Sequence, residues 1–363
     1  MKIINVVGAR PNFMKIAPLM TAYAAYRAID PLLVHTGQHY DERMSDLFFR
    51  QLNIPEPDIN LGVGSASHAA QTAAIMTAFE PLLLEHRPDC VLVVGDVNST
   101  IACGLVAVKL GVKLVHVEAG LRSFDRTMPE EINRLLTDAI SDLLFVTEPA
   151  GVTNLRHEGV AGERVFLVGN VMIDALLRHR EGAEDSRILE DLGLAPGAYA
   201  VLTLHRPGNV DDPAIFGRLL QALEVIQRDM KIVFPIHPRT RKNLQASPLA
   251  RRVDGMANLR LIDPAGYLEF LKLMTCARVV LTDSGGIQQE TTVLNVPCLT
   301  LRETTESPIT VEIGTNRIVG TDPERIVSAY RQTMSGLSRE PKVPPLWDGH
   351  AAERIVRILA ERL

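Results

Sequence analysis

Short apolar, β-branched runs alternate with longer helical patterns from one end of the chain to the other. Their near-continuous apolar character is typical of strands that are covered on both faces, as in a parallel sheet. Parallel strands need helix-sized crossovers, and segments 66–85 and 98–110 have the period and length of helices. The pattern therefore predicts a doubly wound α/β sheet. The first series of predicted strands is 3–7, 32–35, 91–94, 114–117, 143–146 and 165–168.

A second series of runs follows a polar, charged segment at 178–197. A chain of 363 residues is long enough for two domains. We therefore predict an N-terminal Rossmann-like domain over 1–172, a C-terminal one over 173–347, and an amphipathic tail helix over 348–363. Two such sheets facing each other would leave a central cleft at their strand carboxyl ends, where open α/β sheets bind ligands. The second series is 199–204, 232–235, 259–262, 279–282 and 298–301.

The charge and the apolar pattern exclude several classes of partner. The net charge of −5 gives no overall attraction to nucleic acid or to an anionic membrane. No stretch approaches the roughly 20 apolar residues that a membrane-spanning helix needs. The four cysteines are scattered and form no C-x-x-C pair, which is typical of a reduced compartment. We predict a cytoplasmic protein.

In the first half, polar residues collect directly after predicted strands. Gly8 opens a turn that leads into a helix carrying Arg10 and Lys15, and such a helix start favours an anion. Asp96 and Glu118 follow neighbouring strands, where desolvation can raise the pKa of a carboxyl into a catalytic range. The alternatives are an ordinary turn, a helix cap by Asp96, and a Glu118–Arg122 ion pair.

The segment 129–134, Pro-Glu-Glu-Ile-Asn-Arg, has the pattern of a helix start. Acids in a first turn commonly just stabilise the helix, so taken by itself this pattern favours that structural role for Glu130 over a catalytic one.

The second half repeats the arrangement. His205 and His237 each stand at a strand end with a cation close by, which favours a site over two unrelated structural histidines. Ser284, Gly285 and Gly286 open the next helix, as suits backbone contact with a phosphate. Glu290 lies about two turns into that helix, where a carboxylate can accept hydrogen bonds from ribose hydroxyls.

Other chemistries find no support in the sequence. His35 and His39 are four residues apart but straddle a Thr-Gly turn, and there is no H-E-x-x-H motif or Cys/His cluster. The single glycine after the first strand is not a dinucleotide fingerprint, so no nicotinamide cofactor is expected. The chain also lacks a G-x-S-x-G elbow and a kinase signature set.

Taken in order, these motifs resemble the non-hydrolysing UDP-N-acetylglucosamine 2-epimerases over residues 1 to roughly 350. The resemblance implies a glycosyltransferase-B-like fold, a C-terminal helix that crosses back to the first domain, and a homodimer. The motifs that carry it are 8–11 with Lys15, 36–39, 95–96, 116–122, 129–134, 204–206, 237–238, 283–288 and 302–306.

The resemblance also implies roles for individual residues. Asp96, Glu118 and Glu130 match catalytic acids, and His205 matches an essential active-site histidine. The substrate-binding matches are Arg10, Lys15 and Arg134 in the first half, and His237, Ser284, Gly285, Gly286 and Glu290 in the second.

Three departures from the family pattern bear on regulation and specificity. Members that are activated by their own substrate carry Arg-Glu at two places where this chain has Pro207-Gly208 and Tyr40-Asp41. We therefore expect no activation by substrate. Ser307 stands where many relatives have arginine before the proline, which leaves the sugar specificity open.

The expected reaction is inversion at C2 of a UDP-linked N-acetylamino sugar, through elimination and re-addition of UDP. Such a reaction needs acid–base groups on both faces of C2 and donors for the departing diphosphate, but no cofactor or metal. The sequence leaves four alternatives: a 2-epimerase of a diacetamido uronic acid, a hydrolysing epimerase, a glycosyltransferase and a non-catalytic nucleotide-sugar sensor.

Overall fold

The computed structural model describes residues 1–38, 55–336 and 341–363. These residues form two compact units. The first contains residues 1–178 together with 345–363, and the second contains residues 179–344.

The first unit alternates strands and helices, as the apolar pattern predicts. Its elements up to the third helix are β1 (Lys2–Val7), α1 (Arg10–Tyr23), β2 (Asp30–His35), β3 (Ile59–Asn60), α2 (His68–His86), β4 (Cys90–Val94) and α3 (Asn98–Lys109). They continue with β5 (Lys113–Ala119), α4 (Pro129–Ile140), β6 (Leu143–Val146), α5 (Pro149–His157), a 3-10 turn (Gly162–Arg164), β7 (Val165–Leu167) and α6 (Val171–Glu184), whose last residues belong to the second unit.

The described strands of this unit form one sheet in the order β3-β2-β1-β4-β5-β6-β7, with parallel pairing throughout. Val6 lies beside Val34 on one side and Val93 on the other. All three side chains are buried, because the crossover helices cover both faces of the sheet. The strand order reverses between β1 and β4.

The second unit repeats this architecture. Its described strands form a parallel sheet in the order β10-β9-β8-β11-β12-β13, which reverses between β8 and β11. The elements are α7 (Ile188–Asp191), β8 (Tyr199–Thr203), α8 (Pro207–Val210), α9 (Pro213–Asp229), β9 (Lys231–Pro235), α10 (Pro238–Gln245), α11 (Ala250–Asp254), β10 (Leu259–Ile262), α12 (Tyr267–Thr275), β11 (Val279–Thr282), α13 (Gly285–Leu294), β12 (Cys298–Thr300), α14 (Ile309–Glu312), β13 (Asn316–Ile318) and α15 (Pro323–Met334).

The last helix, α16 (Ala351–Arg362), returns to the first unit and packs against α1. Its buried face includes Ile355 and Leu359. The carboxylate of Asp174 accepts hydrogen bonds from the amides of Ala351 (3.1 Å) and Ala352 (2.7 Å), and so caps the start of the helix. The predicted α/β class and the returning helix are confirmed.

The eleven strands predicted from sequence are all present, with ends that differ from the prediction by at most two residues. Two short strands were missed: β3 with two residues and β13 with three. Each is too short to show a periodic apolar pattern. The functional domain limits 1–172, 173–347 and 348–363 stay a prediction. In the part of the chain that the structure describes, no helix is long and apolar enough to span a membrane.

Candidate active site

Each sheet places polar residues at the point where its strand order reverses, which is where open α/β sheets bind ligands. In the first unit, Gly8 and Asp96 follow the two strands at this point, β1 and β4, and Glu118 ends the neighbouring strand β5. In the second unit, His205 follows β8 and Ser284 follows β11. The sequence predicted these positions.

Glu118 forms an ion pair with Lys15 of helix α1. The Lys15 ammonium lies 2.7 Å from both oxygens of Glu118, with hydrogen-bond geometry toward Oε1. Both side chains are buried. The backbone of Glu118 has a φ of +75°, a left-handed conformation that costs a non-glycine residue energy and is concentrated at functional sites. The alternative pairing of Glu118 with Arg122 is therefore wrong.

Asp96 forms an ion pair with Arg134 of helix α4. The guanidinium is buried and also donates to Glu131, at 2.6 Å and 3.0 Å. Asn133 donates to the backbone carbonyl of Asp96 at 2.9 Å. Helix α3 has Val97 at its N-cap, so Asp96 does not cap it. Asp96 is instead held by residues of α4. The contacts of Arg134 position Asp96, and its predicted role in substrate binding stays a prediction.

Glu131 organises the loop that follows Glu118. It accepts hydrogen bonds from the amides of Ser123 (3.0 Å) and Phe124 (2.8 Å) in addition to those from Arg134. Burial raises the pKa of Glu131, but the amides and the guanidinium outweigh burial and lower it overall. The sequence singled out the preceding residue, Glu130, which is half-buried in the first turn of α4.

Gly8 packs closely against helix α3. A Cβ atom at Gly8 would lie 2.0 Å from the hydroxyl oxygen of Ser99, so the glycine is required for packing against α3. Arg10 is the first residue of α1.

In the second unit, His205 is held by the buried carboxylate of Asp283. Its Nδ1 lies 2.9 Å from Asp283 Oδ1, and its side chain is 48% exposed, which leaves the ring open to a ligand. The carboxylate also accepts from the amide of Arg206 (3.0 Å) and from Asn209 Nδ2 (3.1 Å). Burial raises the pKa of Asp283, but the His205 ring and the backbone amides of Arg206 and His205 lower it overall. The sequence contained Asp283 only as part of a motif and gave it no role.

Ser284, Gly285 and Gly286 lie at the start of α13 and are partly exposed, as the phosphate-binding prediction requires. The predicted ribose ligand Glu290 is buried in the same helix, and burial raises its pKa from 4.5 to about 8. Burial, followed by the charge of Glu290, raises the pKa of Tyr267 well above its usual range.

A buried carboxylate that the sequence did not single out lies beside the phosphate-binding turn. Glu306 Oε2 would lie 3.3 Å from a Cβ atom at Gly285. Arg302 donates to both Glu306 oxygens, at 2.7 Å and 2.9 Å, and Arg206 is 3.7 Å away. These cations offset a negative charge that would otherwise repel a phosphate.

The other histidines that the sequence analysis named lie in different surroundings from His205. His237 is the N-cap of α10, where its Nδ1 accepts from the amide of Arg239 at 3.2 Å, and it is exposed. His35 is buried at the end of β2, where burial lowers its pKa to about 4. His39, Tyr40 and Asp41 lie outside the described residues. Within residues 1–38, 55–336 and 341–363, no three His, Cys, Asp or Glu side chains are placed to hold a metal ion.

Comparison with known proteins gives a consistent answer over the whole chain. Residues 21–360 match the family model described as UDP-N-acetylglucosamine 2-epimerase. The chain is 43% identical to the UDP-N-acetylglucosamine 2-epimerase of Methanocaldococcus jannaschii, covering 99% of both chains. It is 39% identical to the UDP-2,3-diacetamido-2,3-dideoxy-D-glucuronate 2-epimerase of Pseudomonas aeruginosa, covering 99% of this chain and 100% of that one.

The chain is also similar over nearly its whole length to a solved structure. The crystal structure of the Methanocaldococcus jannaschii UDP-GlcNAc 2-epimerase, in complex with UDP-GlcNAc and UDP, superposes with a TM-score of 0.93 at 42% identity. The match covers 99% of this chain and 100% of that chain.

Proposed function

Since the chain belongs to the UDP-N-acetylglucosamine 2-epimerase family, we propose that it interconverts UDP-N-acetylglucosamine and UDP-N-acetylmannosamine by inverting C2. The observation that carries the proposal is the full-length similarity to the Methanocaldococcus jannaschii protein. Supporting it, two of the acids assigned to the reaction, Asp96 and Glu118, lie at strand ends of the first unit, each in contact with a cation.

The chemistry explains why carboxylates are needed. C2 of the sugar is not next to a carbonyl, so its proton is not acidic enough for direct removal. In the proposed route, the C1–O bond breaks, UDP leaves with the electron pair, and C1 gains oxocarbenium character. A carboxylate then removes the C2 proton and leaves 2-acetamidoglucal. Proton delivery to the opposite face of C2 and re-addition of UDP complete the inversion.

We assign the C2 proton transfers to Asp96 and Glu118, and the proton on the other face, or its orientation, to Glu130. Asp96 is 25% exposed beside Arg134, and Glu118 is buried beside Lys15. A proton-transfer group gains from such fixed geometry, because the reacting atoms must be brought within hydrogen-bond reach.

We assign recognition of UDP to the second unit. The backbone amides at the start of α13, around Ser284 and Gly285, suit the diphosphate. Glu290, with its raised pKa, is largely protonated at neutral pH, so it can both donate to and accept from ribose hydroxyls. His205, held by Asp283, is assigned to charge or proton donation at the departing diphosphate.

A second candidate is a 2-epimerase of a UDP-linked diacetamido uronic acid, which the similarity to the Pseudomonas aeruginosa protein favours. That substrate carries an additional carboxylate. Purified protein incubated with each sugar nucleotide and followed by proton NMR separates the two. Conversion of UDP-N-acetylglucosamine to its C2 epimer supports the first proposal, and conversion of the uronic acid alone supports the second. Release of free N-acetylmannosamine would indicate a hydrolysing enzyme.

The homodimer and the cytoplasmic location stay predictions. Sedimentation of the purified protein at micromolar concentration measures the first, and a monomer would contradict it.

A further inference from the structure

The buried imidazole of His116 joins the two strand ends that carry Asp96 and Glu118. His116 lies on β5 and has no exposed surface. Its Nε2 is 2.9 Å from the carbonyl oxygen of Gly95, directly after β4. Its Nδ1 is 2.6 Å from Oδ1 of Asp138 on α4.

Both partners of the ring are hydrogen-bond acceptors. A carbonyl oxygen has no proton to give, so Nε2 of His116 must donate. The other oxygen of Asp138 accepts from the Gly120 amide at 3.0 Å and lies 2.7 Å from the guanidinium of Arg122. Burial raises the pKa of Asp138, but His116, Arg122 and the Gly120 amide lower it overall. An ionised Asp138 requires that Nδ1 donate as well.

The charges around the ring balance. Arg122 also donates to both oxygens of Glu158, at 2.8 Å and 2.6 Å. With a doubly protonated His116, this group contains two cations and the two carboxylates Asp138 and Glu158. Buried charges are tolerated when they are paired and hydrogen-bonded, as those of His116, Arg122 and Asp138 are.

The ring holds the backbone before Asp96. The amide of Gly95 donates to the carbonyl of Val117 at 3.0 Å while its own carbonyl accepts from His116. Both backbone polar groups of Gly95, its N–H and its C=O, are therefore held by residues of β5. Gly95 has a φ of +68°, and a Cβ atom there would lie 2.8 Å from the ammonium of Lys15.

The same network holds the backbone after Glu118. Asp138 binds the amide of Gly120, two residues beyond the strained Glu118. One His–Asp pair thus contacts the residue before one proposed acid and the turn after the other.

We propose that His116 is a positioning residue, an imidazolium that with Asp138 fixes Asp96 and Glu118 relative to each other. It does not touch the proposed substrate. The inference rests on the proposed function only for the reaction step that the acids perform, while the protonation of the ring is independent of it.

The first test reads the ring directly. Nitrogen-15 NMR of histidine-labelled protein should show a proton on both ring nitrogens of His116. The signal is identified by its absence from the double variant His116→Gln/Asp138→Asn. A His116 ring with one unprotonated nitrogen would overturn the imidazolium, whichever sugar nucleotide the protein converts.

The second test compares variants in turnover and in UDP affinity. His116→Gln leaves either Asp138 or the Gly95 carbonyl facing an amide oxygen, and Asp138→Asn leaves Arg122 and the ring with one carboxylate too few. Each should lower kcat on the order of 10²-fold, because small misplacements of reacting groups are costly. Affinity for UDP, measured by calorimetry, should change less than about twofold, since no UDP contact is removed.

The double variant restores both charge balance and donor–acceptor matching. It should regain about tenfold in kcat over either single variant, as coupled residues do. His157→Gln, at an exposed position on α5, is the control and should match the parent. Calorimetry counts the UDP-binding sites of the second unit, and amide hydrogen exchange within β5 shows whether the first unit is folded, so kcat is compared only between variants in which both units are folded.

Single variants with near-parent kcat per UDP-binding site, or a double variant as slow as the single ones, would overturn the positioning role. If the parent converts neither sugar nucleotide, the proposed function fails, and the NMR result alone still decides the state of the ring.

Discussion

Replacing Glu290 with glutamine should change how the stability of the second unit depends on pH. Burial raises the pKa of Glu290 from 4.5 to about 8, so between these values the unfolded chain ionises this carboxyl while the folded chain keeps its proton. The folded state then binds more protons, and the free energy of unfolding falls as pH rises through this window. Glutamine has nearly the same shape but no proton to lose.

The size of the effect follows from the two pKa values. Integrated from pH 5 to pH 8, the parent should lose about 3.5 kcal/mol of unfolding free energy that Glu290→Gln does not lose. At pH 5 the parent has lost less than about 1 kcal/mol in this way, because pH 5 is only just above the pKa of the carboxyl in the unfolded chain, so the two proteins should differ little there. At pH 8 the variant should be the more stable protein.

Amide hydrogen exchange within β11 measures this free energy for the second unit alone. Comparing parent and variant at the same pH cancels the intrinsic pH dependence of exchange. The ratio of their protection factors should change by a few hundredfold between pH 5 and pH 8. The exposed variant Glu181→Gln, in the same unit, should show no such change. Equal pH slopes in parent and Glu290→Gln would show that the folded protein carries an ionised Glu290, and would refute the neutral ribose contact.

Three further predictions concern the reaction. Glu118→Gln should lower kcat by roughly 10²–10⁴-fold with little change in UDP affinity, whereas Glu290→Ala should weaken UDP binding by about 1–3 kcal/mol. Steady-state rates measure kcat and calorimetry measures UDP affinity; weak UDP binding in Glu118→Gln with a low kcat in Glu290→Ala would mean that the two roles are assigned the wrong way round. EDTA should leave the rate unchanged, because the described residues contain no metal-ligand cluster; a loss restored only by a divalent ion would disprove this. Rates should depend hyperbolically on substrate and run in reverse from UDP-N-acetylmannosamine alone; a need for trace epimer would reveal activation by substrate.

The sequence predicted the elements and the strand ends, because both follow from local patterns. Buried parallel strands require continuous apolar runs, and β1, β4, β8 and β11 all have them. The placement of polar residues directly after these strands then predicted which edge of each sheet carries chemistry.

The partners of those polar residues were not predictable. Lys15 and Glu118 are 103 positions apart, and their contact depends on how α1 packs against β1 and β4 of the sheet. The sequence suggested the nearer Arg122, which instead contacts Asp138 and Glu158. Pairing across a fold follows from three-dimensional packing, on which sequence spacing gives no information.

Gly8, the glycine after β1, is a second case in which a contact between distant residues could not be predicted from sequence. A single glycine between a strand and a helix is consistent with close approach of a ligand or of another side chain. The structure puts Ser99 there, a residue 91 positions away whose hydroxyl occupies the space of a Cβ atom. The raised pKa of Glu290 was equally hidden, since burial depends on what surrounds α13 and not on the helix itself.

Incorporation of solvent hydrogen at C2 tests the proposed reaction most directly. Elimination of UDP removes the C2 proton to an enzyme carboxylate, and the proton that returns comes from the opposite face. UDP-N-acetylmannosamine formed from UDP-N-acetylglucosamine in deuterated water should therefore carry deuterium at C2, seen by NMR as loss of the C2 proton signal. Epimerised product that keeps its original C2 hydrogen would contradict the account and would indicate internal transfer or transient oxidation instead.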